Sequence, residues 1–198
     1  PKIIIMVSKF DHALLHLLYQ IRVGRLSAEV VAIVSNHVDA RRTADHEDIR
    51  FVHLPVTPET KTVQEAALLA LVDDTGAEAV VLARYMQVLS DDLSRQLSGR
   101  AINIHHSFLP AFKGANPYKQ AWQRGVKLIG ATSHYVTADL DEGPIIEQDV
   151  ARISHADSAD DLVAIGRDTE ARVLARAVKN HLERRVLLCG HRTVVFAK

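Results

Sequence analysis

Four short apolar runs recur through the first half of the chain, at residues 3–7, 29–35, 50–54 and 79–83, each separated from the next by a polar or helix-period stretch. This alternation restricts the fold more than any other feature. Runs of this length and β-branched content read as strands buried on both faces, which is how strands of a parallel sheet read. Parallel neighbours need a crossover between them, and the intervening segments supply it. After the first run, Leu14, Leu15, Leu17, Leu18 and Ile21 share one broad helical face before Gly24 stops the helix. A longer helix is expected to start near Thr57-Pro58-Glu59, with Thr57 as N-cap and Pro58 in the first turn, and to end at Gly76.

The second half continues with strand-like runs at 101–104, 127–136 and 145–153. Pro110, Gly114 and Pro117 mark a loop, a short helix reaches Gly125, and a helix from Ser158 to about Arg184 closes the body. The expectation is an α/β protein with a Rossmann-like, mostly parallel, twisted sheet flanked by helices. A chain of 198 residues that is 47% hydrophobic can fill one substantial core, so a single domain over residues 1–198 is the default.

Charge and cysteine usage exclude several classes of function. Lys plus Arg and Asp plus Glu both number 24, so no net field gathers nucleic acid or an anionic membrane. The lone Cys189 can form neither an intrachain disulfide nor a thiolate zinc site, which fits a reducing compartment. The apolar runs are too short to cross a bilayer and no charged-then-apolar leader precedes them, so a cytoplasmic protein is expected.

Chemistry concentrates in two segments. Asn103-Ile104-His105-His106-Ser107 lies where a short strand runs into a loop, and open α/β sheets bind ligands at the carboxyl ends of their strands. Residues two apart in a strand share a side, so Asn103 and His105 can converge while Ile104 faces the core. The turn Asp139-Leu140-Asp141-Glu142-Gly143-Pro144 can bring a carboxylate to the same place. An Asn, a His and an Asp around one pocket suit attack on a carbonyl or formyl carbon, because Asn and His stabilise charge growing on oxygen while Asp manages a proton. Taken alone, an Asn-x-His pair and an acidic turn also occur as purely structural features. The His105-His106 doublet offers too few ligands for zinc, and the chemistry needs no metal.

The motifs Asn103-Ile104-His105-His106-Ser107-Phe108-Leu109-Pro110, Phe112-Lys113-Gly114 and Leu140-Asp141-Glu142-Gly143-Pro144-Ile145-Ile146 together resemble the formyltetrahydrofolate-dependent formyltransferase family. The resemblance implies the formyltransferase fold and a catalytic trio of Asn103, His105 and Asp141. It places Asn103 and His105 on the formyl oxygen, gives Asp141 an attacking water to orient, and makes His134 a support for Asp141. It implies a folate substrate whose pteridine lies against Met86, Gln87, Val88 and Leu89 and against the loop from Val136 to Leu140. No cofactor beyond the folate and no metal are implied. The Lys113-Gly114-Ala115 loop is expected to order over the folate, and the chain to form a homo-oligomer.

Within that family, transferases to glycinamide ribonucleotide follow the first strand with a Gly- and Ser-rich loop that holds the acceptor's phosphate at a helix N-terminus. Here the segment is Ser8-Lys9-Phe10-Asp11-His12-Ala13, with no glycine and with Asp11 placed to repel an anion. The resemblance is therefore to the deformylase branch, which passes the formyl group to water. Met6-Val7-Ser8-Lys9, Val34-Ser35-Asn36-His37, the run 54–61 and the second histidine, His106, carry the same likeness. Transfer to an amine acceptor is the alternative, and a folate-binding module without activity is a third reading. Members of that branch join a small ACT-type regulatory domain to the catalytic one. This chain opens at Pro1-Lys2, where the second domain is expected to begin.

Overall fold

A computed structural model describes residues 1–106 and 117–197. The chain runs β1 (Lys2–Val7), α1 (His12–Arg22), β2 (Glu29–Ser35), α2 (Arg41–His46), β3 (Phe51–His53), α3 (Lys61–Thr75), β4 (Ala79–Leu82), α4 (Asp91–Gln96) and β5 (Ala101–His105). It continues with α5 (Pro117–Arg124), β6 (Leu128–Tyr135), β7 (Ile145–Arg152), α6 (Ala159–Leu182), β8 (Val186–Cys189) and β9 (Arg192–Val195). The order across the main sheet is β3-β2-β1-β4-β5-β6-β7, and β8 and β9 pair separately as a hairpin. Pairings from β3 to β5 are parallel, as the alternation predicts, whereas β6 and β7 join antiparallel.

The apolar runs explain where the core lies. Ile3, Ile5, Val7 and Val81 face one layer with Leu14 and Leu17 of α1 and Val173, Leu174 and Val178 of α6. Ile4, Met6, Val80 and Leu82 face the other with Leu68 and Val72 of α3. Alternate residues of β1 and β4 thus serve opposite cores, which is why both strands read as unbroken apolar runs.

Two features depart from expectation. The long helix starts at Lys61 with Thr60 as N-cap, one turn later than Thr57. Thr57 and Thr60 exchange backbone-to-hydroxyl hydrogen bonds (Thr57 N to Thr60 Oγ1, 2.9 Å; Thr60 N to Thr57 Oγ1, 3.2 Å), so the reciprocal pair that would cap a helix closes a separate turn. The β8–β9 hairpin is an element beyond the expected ones: its strands are four residues each and reverse at Gly190, which takes a left-handed φ of 63°.

The topology locates the site. Strand order reverses at β1, the usual crevice of an open α/β sheet, and Ser8, Arg84 and His105 stand at or just beyond the carboxyl ends of β1, β4 and β5.

Candidate active site

Burial along β5 alternates as predicted. Ile102 and Ile104 are buried, whereas Asn103 and His105 are partly open. Antiparallel pairing puts His134 of β6 directly opposite Asn103. His134 Nδ1 lies 2.9 Å from the Tyr135 carbonyl, to which it can only donate, and this leaves Nε2 to accept from Asn103 Nδ2 at 3.3 Å. His134 therefore fixes the orientation of the Asn103 amide. Its Nε2 also lies 3.7 Å from Asp141 Oδ1, so the histidine expected to hold Asp141 touches Asn103 more closely.

Asp141 arrives by a longer route. The β6–β7 turn leaves the sheet beside Ala101, at the amino end of β5, where Val136 N donates to the Ala101 carbonyl at 2.9 Å. To reach His105 it must fold back over the strand. Gly143 makes this possible, because any Cβ there would collide with the Tyr135 carbonyl oxygen. Asp141 itself adopts a left-handed φ of 57°, a strained conformation for a non-glycine residue, costing about 1–3 kcal/mol. The result places Asp141 Oδ2 3.4 Å from His105 Nδ1. His105, and after it the nearby His134, outweigh the opposing effect of burial and hold the Asp141 carboxyl well below its ordinary pKa.

The wall of this cleft comes from the loop after β4 and the turn after β6. Met86, Gln87, Val88, Leu89, His134, Val136 and Leu140, the residues expected to bind substrate, all line it, as do Asn103, His105 and Asp141. Met86, Val88 and Leu140 are more than half exposed, so they are not core; Leu89 is buried in the sheet's second core as well as lining the cleft. Exposed apolar side chains gathered around polar groups mark a ligand face.

Buried polar groups hold this wall in place. Ser8 Oγ accepts from Met86 N at 2.9 Å and donates to Asn36 Oδ1 at 2.7 Å. Glu65 accepts from Ser90 N at 2.8 Å and from Ser90 Oγ at 2.5 Å. Ser94, buried at the back of the cleft, leaves its hydroxyl without a hydrogen-bond partner among the described residues. Such an oxygen can pair with a polar edge of a bound ligand.

A second polar cluster, carried by no motif in the sequence, lies behind His105. Glu170 of α6, 1% exposed, is 2.8 Å from His12 Nε2, accepts from Tyr118 Oη at 2.5 Å and lies 3.5 Å from Arg84 Nε. Arg84 in turn donates through Nη1 to His106 Nδ1 at 2.7 Å. Burial pushes the Glu170 carboxyl up, but the His12 hydrogen bond, the Arg84 charge and Tyr118 outweigh it and leave it below its ordinary value. One signal was available: Glu170 falls on the buried stripe of α6, beside Ala171, Val173 and Leu174.

Ser107, Phe108, Leu109, Pro110, Phe112 and the Lys113-Gly114-Ala115 loop lie outside the described residues. Among the described residues, no group of three or more His, Cys, Asp or Glu side chains is arranged to hold a metal ion, and no helix is long and apolar enough to cross a membrane.

The chain matches the formyl transferase family model over residues 1–178. It is 58% identical to the formyltetrahydrofolate deformylase of Corynebacterium sp. (strain P-1) over 194 residues, covering 98% of this chain and 68% of that relative. A crystal structure of formyltetrahydrofolate deformylase from Burkholderia mallei superposes with a TM-score of 0.97 at 57% identity, covering 100% of this chain and 70% of that one. Glycinamide ribonucleotide transformylase 1 from Symbiobacterium toebii superposes with a TM-score of 0.89 at 30% identity, covering 99% of this chain and 94% of that one. The chain thus spans roughly two thirds of the length of these deformylases and has nearly the whole extent of the transformylase.

Proposed function

We infer the reaction from one premise: the chain belongs to the formyl transferase family. Within it, the reading supported best is hydrolysis of 10-formyltetrahydrofolate to tetrahydrofolate and formate. The observation that carries it is the meeting of Asn103, His105 and Asp141 on one cleft with exposed apolar walls, in a chain 58% identical to a relative named for this activity.

The folate ring system lies against Met86, Val88 and Leu140, with Ser94 meeting a polar edge. This delivers the formyl carbon to the strand end. Asn103, its amide turned by His134, donates to the formyl oxygen, and His105 stabilises the charge that grows there. Asp141 stays ionised and orients the attacking water. As the water oxygen bonds to the formyl carbon, its proton passes to the coupled Asp141–His105 pair. The C–N bond then breaks, the folate nitrogen takes that proton, and formic acid leaves, becoming formate as its hydroxyl proton passes to solvent. No step requires an oxidant or reductant.

Water as acceptor is supported by the first β–α turn. There Ser8 is committed to Asn36 and Met86, His12 to Glu170, and the Phe10 ring lies under the Arg167 guanidinium at 4.8 Å. The side chains of the turn are spent on internal contacts, and it has no glycine to let the backbone close on an anion. The test is formate release from 10-formyltetrahydrofolate with and without added amines. Release should need no amine; turnover only in the presence of an amine would overturn the hydrolase reading.

A further inference from the structure

The hydrolytic mechanism uses His105 but leaves its neighbour His106 without a task, although both line the cleft. The groups around His106 come from five parts of the chain. Arg84 follows β4, Glu170 is on α6, Tyr118 is on α5 with its ring centroid 6.4 Å away, Asp141 is in the β6–β7 turn, and His105 precedes it with ring centroids 5.1 Å apart.

A guanidinium can only donate, so the Arg84 Nη1 contact at 2.7 Å requires a lone pair on His106 Nδ1. The His106 proton is therefore on Nε2 and the ring is neutral. A protonated His106 would set two cations at hydrogen-bond distance. Arg84 is itself strained, with a left-handed φ of 66°, and its side chain lies between Glu170 and His106. Gly166 adds to the device, since any Cβ there would fall inside the Tyr118 ring that reaches Glu170.

We propose that Glu170, Arg84 and His106 form a positioning relay behind His105. Glu170 anchors and neutralises Arg84, Arg84 locks His106 as its neutral Nε2–H tautomer, and His106 gives His105 an uncharged backing. The positive charge gained by His105 during turnover is then met by Asp141 and not opposed by a second imidazolium. Burial, the Arg84 charge and His105 together hold His106 down to about 4, against the opposing pull of Glu170 and Asp141.

The proposal rests on the hydrolase reading for its catalytic consequence, but its structural half can be tested separately. In the 198-residue chain labelled with ¹⁵N-histidine, nuclear magnetic resonance should show His106 with an unprotonated Nδ1 and a protonated Nε2, and no protonation of that ring down to pH 5. A His106 ring that titrates near its ordinary value would overturn the relay, even if Arg84→Met failed to fold. In formate-release assays, Arg84→Met should move the acid limb of the kcat/KM profile up by about one pH unit, because His106 is then free to take a proton. Adding His106→Gln should return the limb to its wild-type position, and Arg84→Lys should shift it less than Arg84→Met. An unmoved limb in Arg84→Met, or a displaced limb that survives in the double variant, would overturn the proposal. A wild-type chain that releases no formate would sink the hydrolase reading and leave the resonance result to decide the relay.

Discussion

Two polar clusters meet back to back at His105 and His106, and they are built on opposite principles. The cleft cluster is partly open, with the Asp141 side chain 29% exposed, and its contacts are long: 3.3, 3.4 and 3.7 Å. The rear cluster is closed around Glu170, 1% exposed, with three short contacts of 2.5, 2.7 and 2.8 Å and a longer ion pair, Arg84 to Glu170, at 3.5 Å. Groups that must receive a substrate and change partners keep slack, whereas groups that only hold position can be packed away from water. Loss of a front residue should therefore cost turnover, and loss of a rear residue should first cost stability.

Substitution at Asp141 should separate the two most sharply. Asp141→Asn keeps the shape but removes the charge that orients water and balances His105, and formate release should fall by about 10³-fold or more, far beyond what any loss of stability explains. Comparable activity in this variant would break the assignment of the front cluster. Gly143→Ala is expected to follow with a loss of roughly 10²-fold, since the turn must shift to relieve the clash with the Tyr135 carbonyl and carries Asp141 away from His105. Restoration of activity is not expected from any change at Asp141 in that background.

The rear cluster should answer differently. Glu170→Ala removes a buried carboxylate from between His12, Arg84 and Tyr118, and should lower stability by about 3 kcal/mol in denaturant unfolding. If its main effect were on kcat with stability intact, the contrast between the clusters would be wrong.

The smallest effects expected are those of pH. Asp141 and Glu170 have folded-state pKa values below their ordinary 3.8 and 4.5, so the stability they contribute is present above those values and lost as pH falls below about 4. His106 acts in the same direction for a different reason. Its folded pKa is lowered, from 6.5 to about 4, so the unfolded chain binds more protons in that window and stability declines as pH drops through it. Thermal unfolding of His106→Gln should show a shallower decline between pH 6.5 and 4 than wild type, whereas Asp141→Asn should alter the profile only below that range.

Much of the front of the molecule was legible in the sequence, and the reasons are local. The apolar runs of β1, β2 and β4 declare buried parallel strands because both faces of each are covered. Strand alternation placed Asn103 and His105 on one side, and the ordered motifs around residues 103–110 and 140–146 pointed to Asp141. The exposed apolar residues of the loop after β4 read equally as core or as ligand wall until their exposure was known. The first turn of α3 was misplaced because Thr57 makes the bonds of a cap without starting the helix.

By itself, then, the sequence determined the layered α/β architecture and the shared side of Asn103 and His105, since periodicity acts over a few neighbouring positions, while Asp141 joined them through the resemblance of its motif. Only the tertiary structure decided that the turn carrying Asp141 folds back over β5, and that His12 and Glu170, 158 positions apart, share a proton contact at 2.8 Å. No local pattern encodes such a pair, because it exists only once the packing of α1 and α6 on one face of the sheet has excluded the water that would otherwise separate the two side chains.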